Sequence, residues 1–237
     1  MKPHDSHDEI QLLENLFQYI IPKYKEAHDI MVSMLDFEQT QEVRVADLGC
    51  GFGELTQRVM ETFPLGVVFA LDNQPRLLQR MREKFGDYSD QLVLFERDLN
   101  NNAWMHEMEH LNAIVSSFTL DYVTQERHKQ IIKEAYGLLD KSGRWVSCEF
   151  FRSQDTRVNR VFHDLEMTFI QNAIRNGEVS MEQIDHLSQS FILRQEHHVC
   201  TVDEKRQWLQ EAGFTSIEVP WRFLNLAVIS AVKVRGD

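Results

Sequence analysis

The order of elements along this chain predicts an α/β fold, an open and mostly parallel sheet with helices on both faces. Three observations predict it. Short runs of β-forming residues alternate with amphipathic helical stretches from residue 43 to residue 151. The strands read as continuous apolar runs, the pattern of strands covered on both faces. A glycine-rich segment, Asp47-Leu48-Gly49-Cys50-Gly51-Phe52-Gly53, joins the first of these strands to the helix after it. In such folds right-handed crossovers place the loops that follow the strands on one edge, where open α/β sheets bind ligands.

Taken in order, Ile10, Leu13, Leu16, Phe17 and Ile20 recur at helical spacing and predict a helix over 8–21, ended by Pro22. A second helix is expected over 24–35, so that residues 1–40 form an N-terminal helical segment. Strands are expected at 43–48, 67–72, 91–98, 112–117 and 144–151, and helices at 53–63, 75–85 and 124–140. Thr124 suits the N-cap of the last of these helices, with Ser142-Gly143 past its end. After Phe151 the alternation stops. Residues 155–194 read as helical, and 152–198 are expected to form a cap inserted over the ligand edge. A helix over 202–214, with Gly213 at its C-cap, and a hairpin of 216–223 with 224–233, turning near Leu224-Asn225, close the chain. Residues 1–237 are expected to form one domain.

Composition narrows the function classes. The chain is 43% hydrophobic and 26% charged over 237 residues, the balance of a soluble globular protein. No apolar run approaches the ~20 residues of a membrane helix. The first ten residues carry no apolar segment of the kind a secretory signal needs. Cys50, Cys148 and Cys200 fit neither a disulfide framework nor a zinc spacing, so a reducing, cytoplasmic setting is expected. A formal net charge of −12 repels phosphate backbones, so no nucleic-acid partner is expected, and no membrane partner either.

The glycine segment follows a strand and opens a helix, where glycines allow a tight turn and a close ligand approach. A P-loop ends in Gly-Lys-Ser/Thr, whereas here Glu54-Leu55 follows Gly53. A nicotinamide or flavin site wants a small residue where Glu54 stands, and its pyrophosphate would meet a carboxylate. S-Adenosylmethionine carries a sulfonium, an ammonium and a carboxylate but no phosphate, and the acidic Asp47 and Glu54 suit it better. Asp72 lies 23 residues after Gly49, the spacing of a carboxylate that accepts both ribose hydroxyls. Asp98, at the end of the third strand, suits an adenine amino group.

Asp47-x-Gly49-x-Gly51-x-Gly53, Asp72-Asn73, Asp98-Leu99 and the segment SSFTLDYV resemble a class I S-adenosylmethionine-dependent methyltransferase, from about residue 20 to 233. The resemblance implies a Rossmann-like, seven-stranded sheet with an antiparallel last strand, and S-adenosylmethionine as the cofactor. The segments IIPKYKEAHDIMVSML, FTLDYV, RHKQIIKEAYGLL and FLNLAVISAVK resemble the carboxy-S-adenosylmethionine synthase family and related small-molecule methyltransferases. By position, the likeness implies that Tyr24, Asp47, Gly49, Cys50, Gly51, Gly53, Asp72, Asn73, Asp98, Leu99 and Ser117 form the cofactor site. Ser117 stands where the synthase family has asparagine. Ser190 stands where that family uses an arginine to hold the extra carboxylate, with Arg194 one turn away. Ordinary methyl transfer to a small-molecule acceptor is therefore expected. The alternative is a carboxy-S-adenosylmethionine synthase acting on S-adenosylmethionine and prephenate. Association with a second copy of the chain is also expected.

Methyl transfer from a sulfonium is an in-line displacement that depends on orientation and exclusion of water. A base is needed only if the acceptor must lose a proton. Asp121, Tyr122, Glu149, His163, His197 and His198 are the candidates, and Glu149, at a strand end on the ligand edge, and His163 are the expected catalytic residues. Phe118, Tyr122, Phe150 and Phe151 lie near the same edge and suit an acceptor pocket. His106 and His110 lie four residues apart without a third ligand, so no metal is expected.

Overall fold

The computed structural model describes residues 7–88, 90–188 and 198–233. Seven strands form one sheet in the order β3-β2-β1-β4-β5-β7-β6. They are β1 (Arg44–Leu48), β2 (Val67–Asp72), β3 (Leu92–Glu96), β4 (Leu111–Ser117), β5 (Leu139–Phe150), β6 (Phe214–Phe223) and β7 (Leu226–Lys233). The first five pair in parallel, and β7 runs antiparallel between β5 and β6. This is the Rossmann-like, seven-stranded arrangement that the resemblance implies, with the reversed strand contributed by the C-terminal hairpin.

Successive residues of each inner strand serve opposite faces, which is why the strands read as unbroken apolar runs. On one face Ala46, Ile114 and Trp145 pack with Ile131 and Ile132 of α5 (Gln125–Leu138) and with Trp208 and Leu209 of α8 (Val202–Ala212). On the other, Val45, Ala113 and Val115 pack against Met31 of α2 (Tyr24–Ser33), Leu55 and Val59 of α3 (Glu54–Thr62) and Leu78 and Met81 of α4 (Pro75–Lys84). A third cluster lies under the ligand edge. There Leu16 of α1 (His7–Ile20), Phe52 and Leu77 meet Ala173 of α6 (Thr156–Arg175) and Val179, just before α7 (Met181–Ser188).

Several boundaries move, the largest shift being at β5, which starts at Leu139 rather than at 144, and two of them have a visible cause. The helix expected to reach residue 140 ends at Leu138, because Leu139 leaves it to pair with Leu111 at the start of β4. The strand expected over 91–98 ends at Glu96, because the Asp98 side chain turns the chain by accepting hydrogen bonds from the Asn100 main-chain and side-chain N–H groups. The insertion is helical in two pieces, broken at Gly177 (φ +72°), while residues 189–194 of the expected helical stretch lie outside the described residues.

A buried ion pair ties the α5–α8 layer to the sheet. The Lys205 ammonium on α8 is fully buried and donates to Glu149 Oε1 of β5 at 2.7 Å and to His128 of α5. It also lies 5.0 Å over the Trp145 ring. Burial, with Lys205 as the next cause, holds the His128 imidazole neutral, well below its ordinary pKa. Lys205→Ala would strand the Glu149 carboxylate in the core. It is expected to cost about 3–5 kcal/mol in urea denaturation, whereas the double change Lys205→Met, Glu149→Leu recovers most of that loss.

Candidate functional site

The segment after β1 is built from left-handed residues. Gly49, Gly51 and Gly53 have φ of +72°, +53° and +79°. At Gly49 a Cβ would fall 2.1 Å from the Thr119 methyl carbon, so no side chain fits. Thr119, from the loop after β4, returns a hydrogen bond from its hydroxyl to the Gly49 carbonyl at 3.0 Å. At Gly51 nothing lies within 4 Å of a Cβ position, so that stretch of backbone faces open space. Gly53 caps α3, and a Cβ there would meet Phe85 and Met81 at 2.6 and 2.7 Å. Its role is close helix packing.

Asp72, at the end of β2, latches the loop. Its Oδ2 accepts the Gly51 N–H at 3.0 Å and its Oδ1 accepts the Gln74 N–H at 2.9 Å. Burial raises its pKa above the usual carboxylate value, against those hydrogen bonds. The loop carrying Asp98 is clamped from behind. Arg127 of α5 donates to the Leu99 and Asn101 carbonyls and binds Glu134 through two 2.8 Å contacts. After β4, Phe118 sits at φ +53°, an unusual conformation for a bulky residue, and its ring stacks on Tyr24 and tilts against Phe150. Behind them the buried His28 places Nε2 3.1 Å from the Ser117 hydroxyl. Burial, then Arg58, pushes the His28 pKa down to about 3, so the ring is neutral.

These loops surround a cavity of about 540 Å³ at the carboxyl ends of the strands, covered by α1, α6 and α7. Tyr24, Gly49, Cys50, Gly51, Asp72, Asn73, Asp98, Leu99 and Ser117 line it together, as do Phe118, Tyr122 and Phe150. Four expected site residues do not. Asp47 is buried behind the loop, where its Oδ2 accepts the Thr56 hydroxyl at 2.6 Å, so it does not face the cavity. Gly53 is taken up by helix packing. Glu149 is only 1% exposed and lies on the sheet side with Lys205, so the strand-end carboxylate expected as a base is instead half of an internal ion pair. His163 is exposed on α6 and is not among the lining residues. Glu54 does not line the cavity either; it pairs with Arg58 at 3.2 Å.

Of the remaining base candidates, Tyr122 lines the cavity, Asp121 is buried, and His198 donates its main-chain N–H to the Asp121 carbonyl at 2.6 Å. Ser190, Arg194 and His197 lie outside the described residues. Phe151 is in the core, and the Cys50 thiol is pushed up by burial rather than activated by the helix behind it. His110 Nδ1 lies 2.9 Å from Asp140, and among the described residues no three potential metal ligands gather.

Sequence reasoning missed the other half of the wall. Phe17 and Ile20 reach it from α1, Thr119 from the β4 loop, and Glu166, Met167 and Ile170 from α6. The spacing of Glu166, Met167 and Ile170 puts them on one helix face, a signal present in the sequence.

Residues 45–143 match the family model of a methyltransferase domain. Among curated proteins, the carboxy-S-adenosyl-L-methionine synthase of Nautilia profundicola is 19% identical over 94% of this chain and 91% of its own length. The protein of the same name from Escherichia coli O17:K52:H18 is 23% identical over 94% of this chain and 88% of its own. Among solved structures, human N-acetylserotonin methyltransferase in complex with S-adenosylmethionine superposes with a TM-score of 0.64 at 15% identity, covering 96% of this chain and 56% of that one. The methyltransferase SibL gives a TM-score of 0.61 at 18% identity over 86% of this chain and 54% of its own. PigF, solved with S-adenosylhomocysteine, gives 0.61 at 15% identity over 95% and 59%. This chain thus spans little more than half of each of those three structures. The likeness to them shows the fold.

Two predictions follow from the loop geometry. Gly49→Ala drives a methyl group into Thr119 from a backbone that favours glycine, and it is expected to lower unfolding stability by about 1–3 kcal/mol in chemical denaturation. Burial pushes the Asp47 carboxyl from 3.8 up to about 7. Between those values the folded chain binds more protons than the unfolded one, so this group's contribution to stability falls as pH rises through that window. Asp47→Asn is therefore expected to gain stability relative to the native chain from about pH 4 to about pH 7, with a constant difference above it, read from melting temperatures across pH.

Proposed function

We propose that this chain, which its methyltransferase-domain match and curated relatives support as a class I S-adenosylmethionine-dependent methyltransferase, methylates a small, largely apolar molecule under its helical cap. S-Adenosylmethionine, the cofactor, fits the residues present. The open backbone at Gly51 admits a ligand, the Asp72 carboxylate suits ribose hydroxyls, and the side chain and loop of Asp98 suit the adenine. In this reading Tyr24, Gly49, Cys50, Asn73, Leu99 and Ser117 complete its contacts. When bound, it supplies an activated methyl group. In this reading Asp47, held by the Thr56 hydroxyl, and Glu54, paired with Arg58, support the loop and make no contact with the cofactor.

The observation that carries the acceptor class is the rest of the cavity wall. Phe17, Phe118, Tyr122, Phe150, Met167 and Ile170 make it apolar and aromatic, and it is closed over by α1, α6 and α7. Such a wall desolvates a small acceptor and orients it, which is most of what displacement at an activated methyl group requires. With a net charge of −12, the surface does not attract nucleic acid. Among the described residues no helix is long and apolar enough to cross a membrane, and Cys50, Cys148 and Cys200 are free and buried, which suits a reducing cytoplasm.

The names of the curated relatives favour a second reading, a carboxy-S-adenosylmethionine synthase. Its carboxylate would need a cation such as Arg194. Formation of the carboxylated donor from S-adenosylmethionine and prephenate, lost in Arg194→Ala, would establish it over simple methyl transfer.

The leading reading is tested by conversion of S-adenosylmethionine to S-adenosylhomocysteine with a panel of small apolar hydroxyl and amine compounds. Turnover with members of the panel is expected, and turnover only with transfer RNA would contradict it. Before any acceptor is known, S-adenosylhomocysteine at a hundredfold excess over its dissociation constant is expected to stabilise the fold by about 2.7 kcal/mol, read as a rise in melting temperature. NAD is expected to leave it unchanged.

A further inference from the structure

Glu166 is the charged side chain that the cap contributes to the cavity among the described lining residues. The other charges of the wall, Asp72, Arg97 and Asp98, come from the end of β2 and the loop after β3. Asp72 is occupied by two main-chain N–H groups, and Arg97 lies over the Phe95 ring and beside Glu107. Glu166 is half-buried on α6, next to Met167 and one turn before Ile170. Its carboxylate lies near the Asn225 side chain, in the two-residue turn between β6 and β7, which favours the charged form. That turn is fixed in its own right, because the Asn225 main-chain carbonyl accepts the Phe151 N–H at 2.7 Å. The Asn225 Oδ1 is buried and has no hydrogen-bond partner among the described residues. Burial raises the Glu166 pKa above the ordinary carboxyl value, opposed by Asn225 and by His163 on the same helix.

The arrangement is a half-buried carboxylate set in an apolar wall, with its lone pairs available to the cavity. It suits a ligand that brings a hydrogen-bond donor into the cavity on an otherwise apolar body. Resting on the small-molecule reading above, we propose that Glu166 receives the hydrogen of the acceptor's nucleophilic hydroxyl or amine and takes that proton as the methyl group is transferred.

The balance is simple. A lone pair of the acceptor oxygen or nitrogen forms the new bond to the methyl carbon. The carbon–sulfur bond breaks and its electron pair stays on sulfur, leaving S-adenosylhomocysteine. The acceptor atom now bears the positive charge, so its proton is strongly acidic and passes to a Glu166 oxygen. A neutral glutamic acid and the methylated product result, and the acid returns its proton to water when the site opens. A raised pKa suits this work, because a base is most effective when its own pKa approaches the working pH.

The test uses 4-nitrophenol, whose phenol and phenolate differ in absorbance, bound to the protein saturated with S-adenosylhomocysteine. A carboxylate facing the probe hydroxyl disfavours the phenolate. The native protein is expected to hold the probe as the phenol to a higher pH than Glu166→Gln does, by about one pH unit, a tenfold difference in phenolate ratio at fixed pH. Glu166→Gln is expected to keep the native melting temperature and the native affinity for S-adenosylhomocysteine, which separates loss of the carboxylate from loss of the fold. Equal probe titrations in the two proteins overturn the proposal, as does failure of the native protein to bind the probe while it still binds S-adenosylhomocysteine. Failure to bind S-adenosylhomocysteine at all overturns the methyltransferase reading itself, and the proposal with it.

Discussion

The site depends on a contact that only a hydrogen atom permits. Gly49 passes so close to Thr119 that a methyl group in place of its hydrogen would overlap the threonine side chain. That contact binds the loop after β1 to the loop after β4, and the Asp72 carboxylate binds it to the loop after β2. Three loops from three adjacent strands are thus fixed to one another before any ligand arrives. Glycine adopts the left-handed conformation at 49, 51 and 53 without cost, so of these loop residues the strained one is Phe118, and the parallel sheet beneath supplies the rigidity that holds it there. A cofactor meeting such a cradle loses its own freedom but orders little of the protein, which favours binding.

The protein's charged residues divide between two tasks. Glu149, His128 and Lys205 fill a dry space between β5, α5 and α8, where they join the layers and touch nothing in the cavity. The groups that do face the cavity are carried by loops and by the cap. This separation explains why a carboxylate next to Phe150, a cavity residue, does not face the cavity. Side chains alternate along a strand, so neighbours in sequence point to opposite faces.

Much of this was legible in the sequence for physical reasons. Five apolar strands with intervening helices specify a parallel sheet, and the glycine spacing after β1 specifies a loop that must turn sharply and remain bare. Asp72 and Asp98 were legible because strand ends in this topology share an edge. Glu149 was misjudged because a strand end does not reveal which face a residue takes, and its partners on α5 and α8 are distant in sequence. Asp47 was misjudged because Thr56, which holds it, looks like any helical threonine. Glu166 and Asn225 were missed because they lie 59 residues apart and meet only when the cap folds back over the hairpin turn.

The account rests on the claim that the cradle at Gly49, Gly51 and Asp72 holds S-adenosylmethionine and not a dinucleotide. The most direct measurement is the mass of the small molecule released when the freshly purified protein is denatured. The account predicts S-adenosylmethionine or S-adenosylhomocysteine. Release of NAD or of a flavin dinucleotide would contradict it at the glycine loop, and a donor heavier by one carboxyl group would contradict the methyl-transfer reading in favour of the synthase.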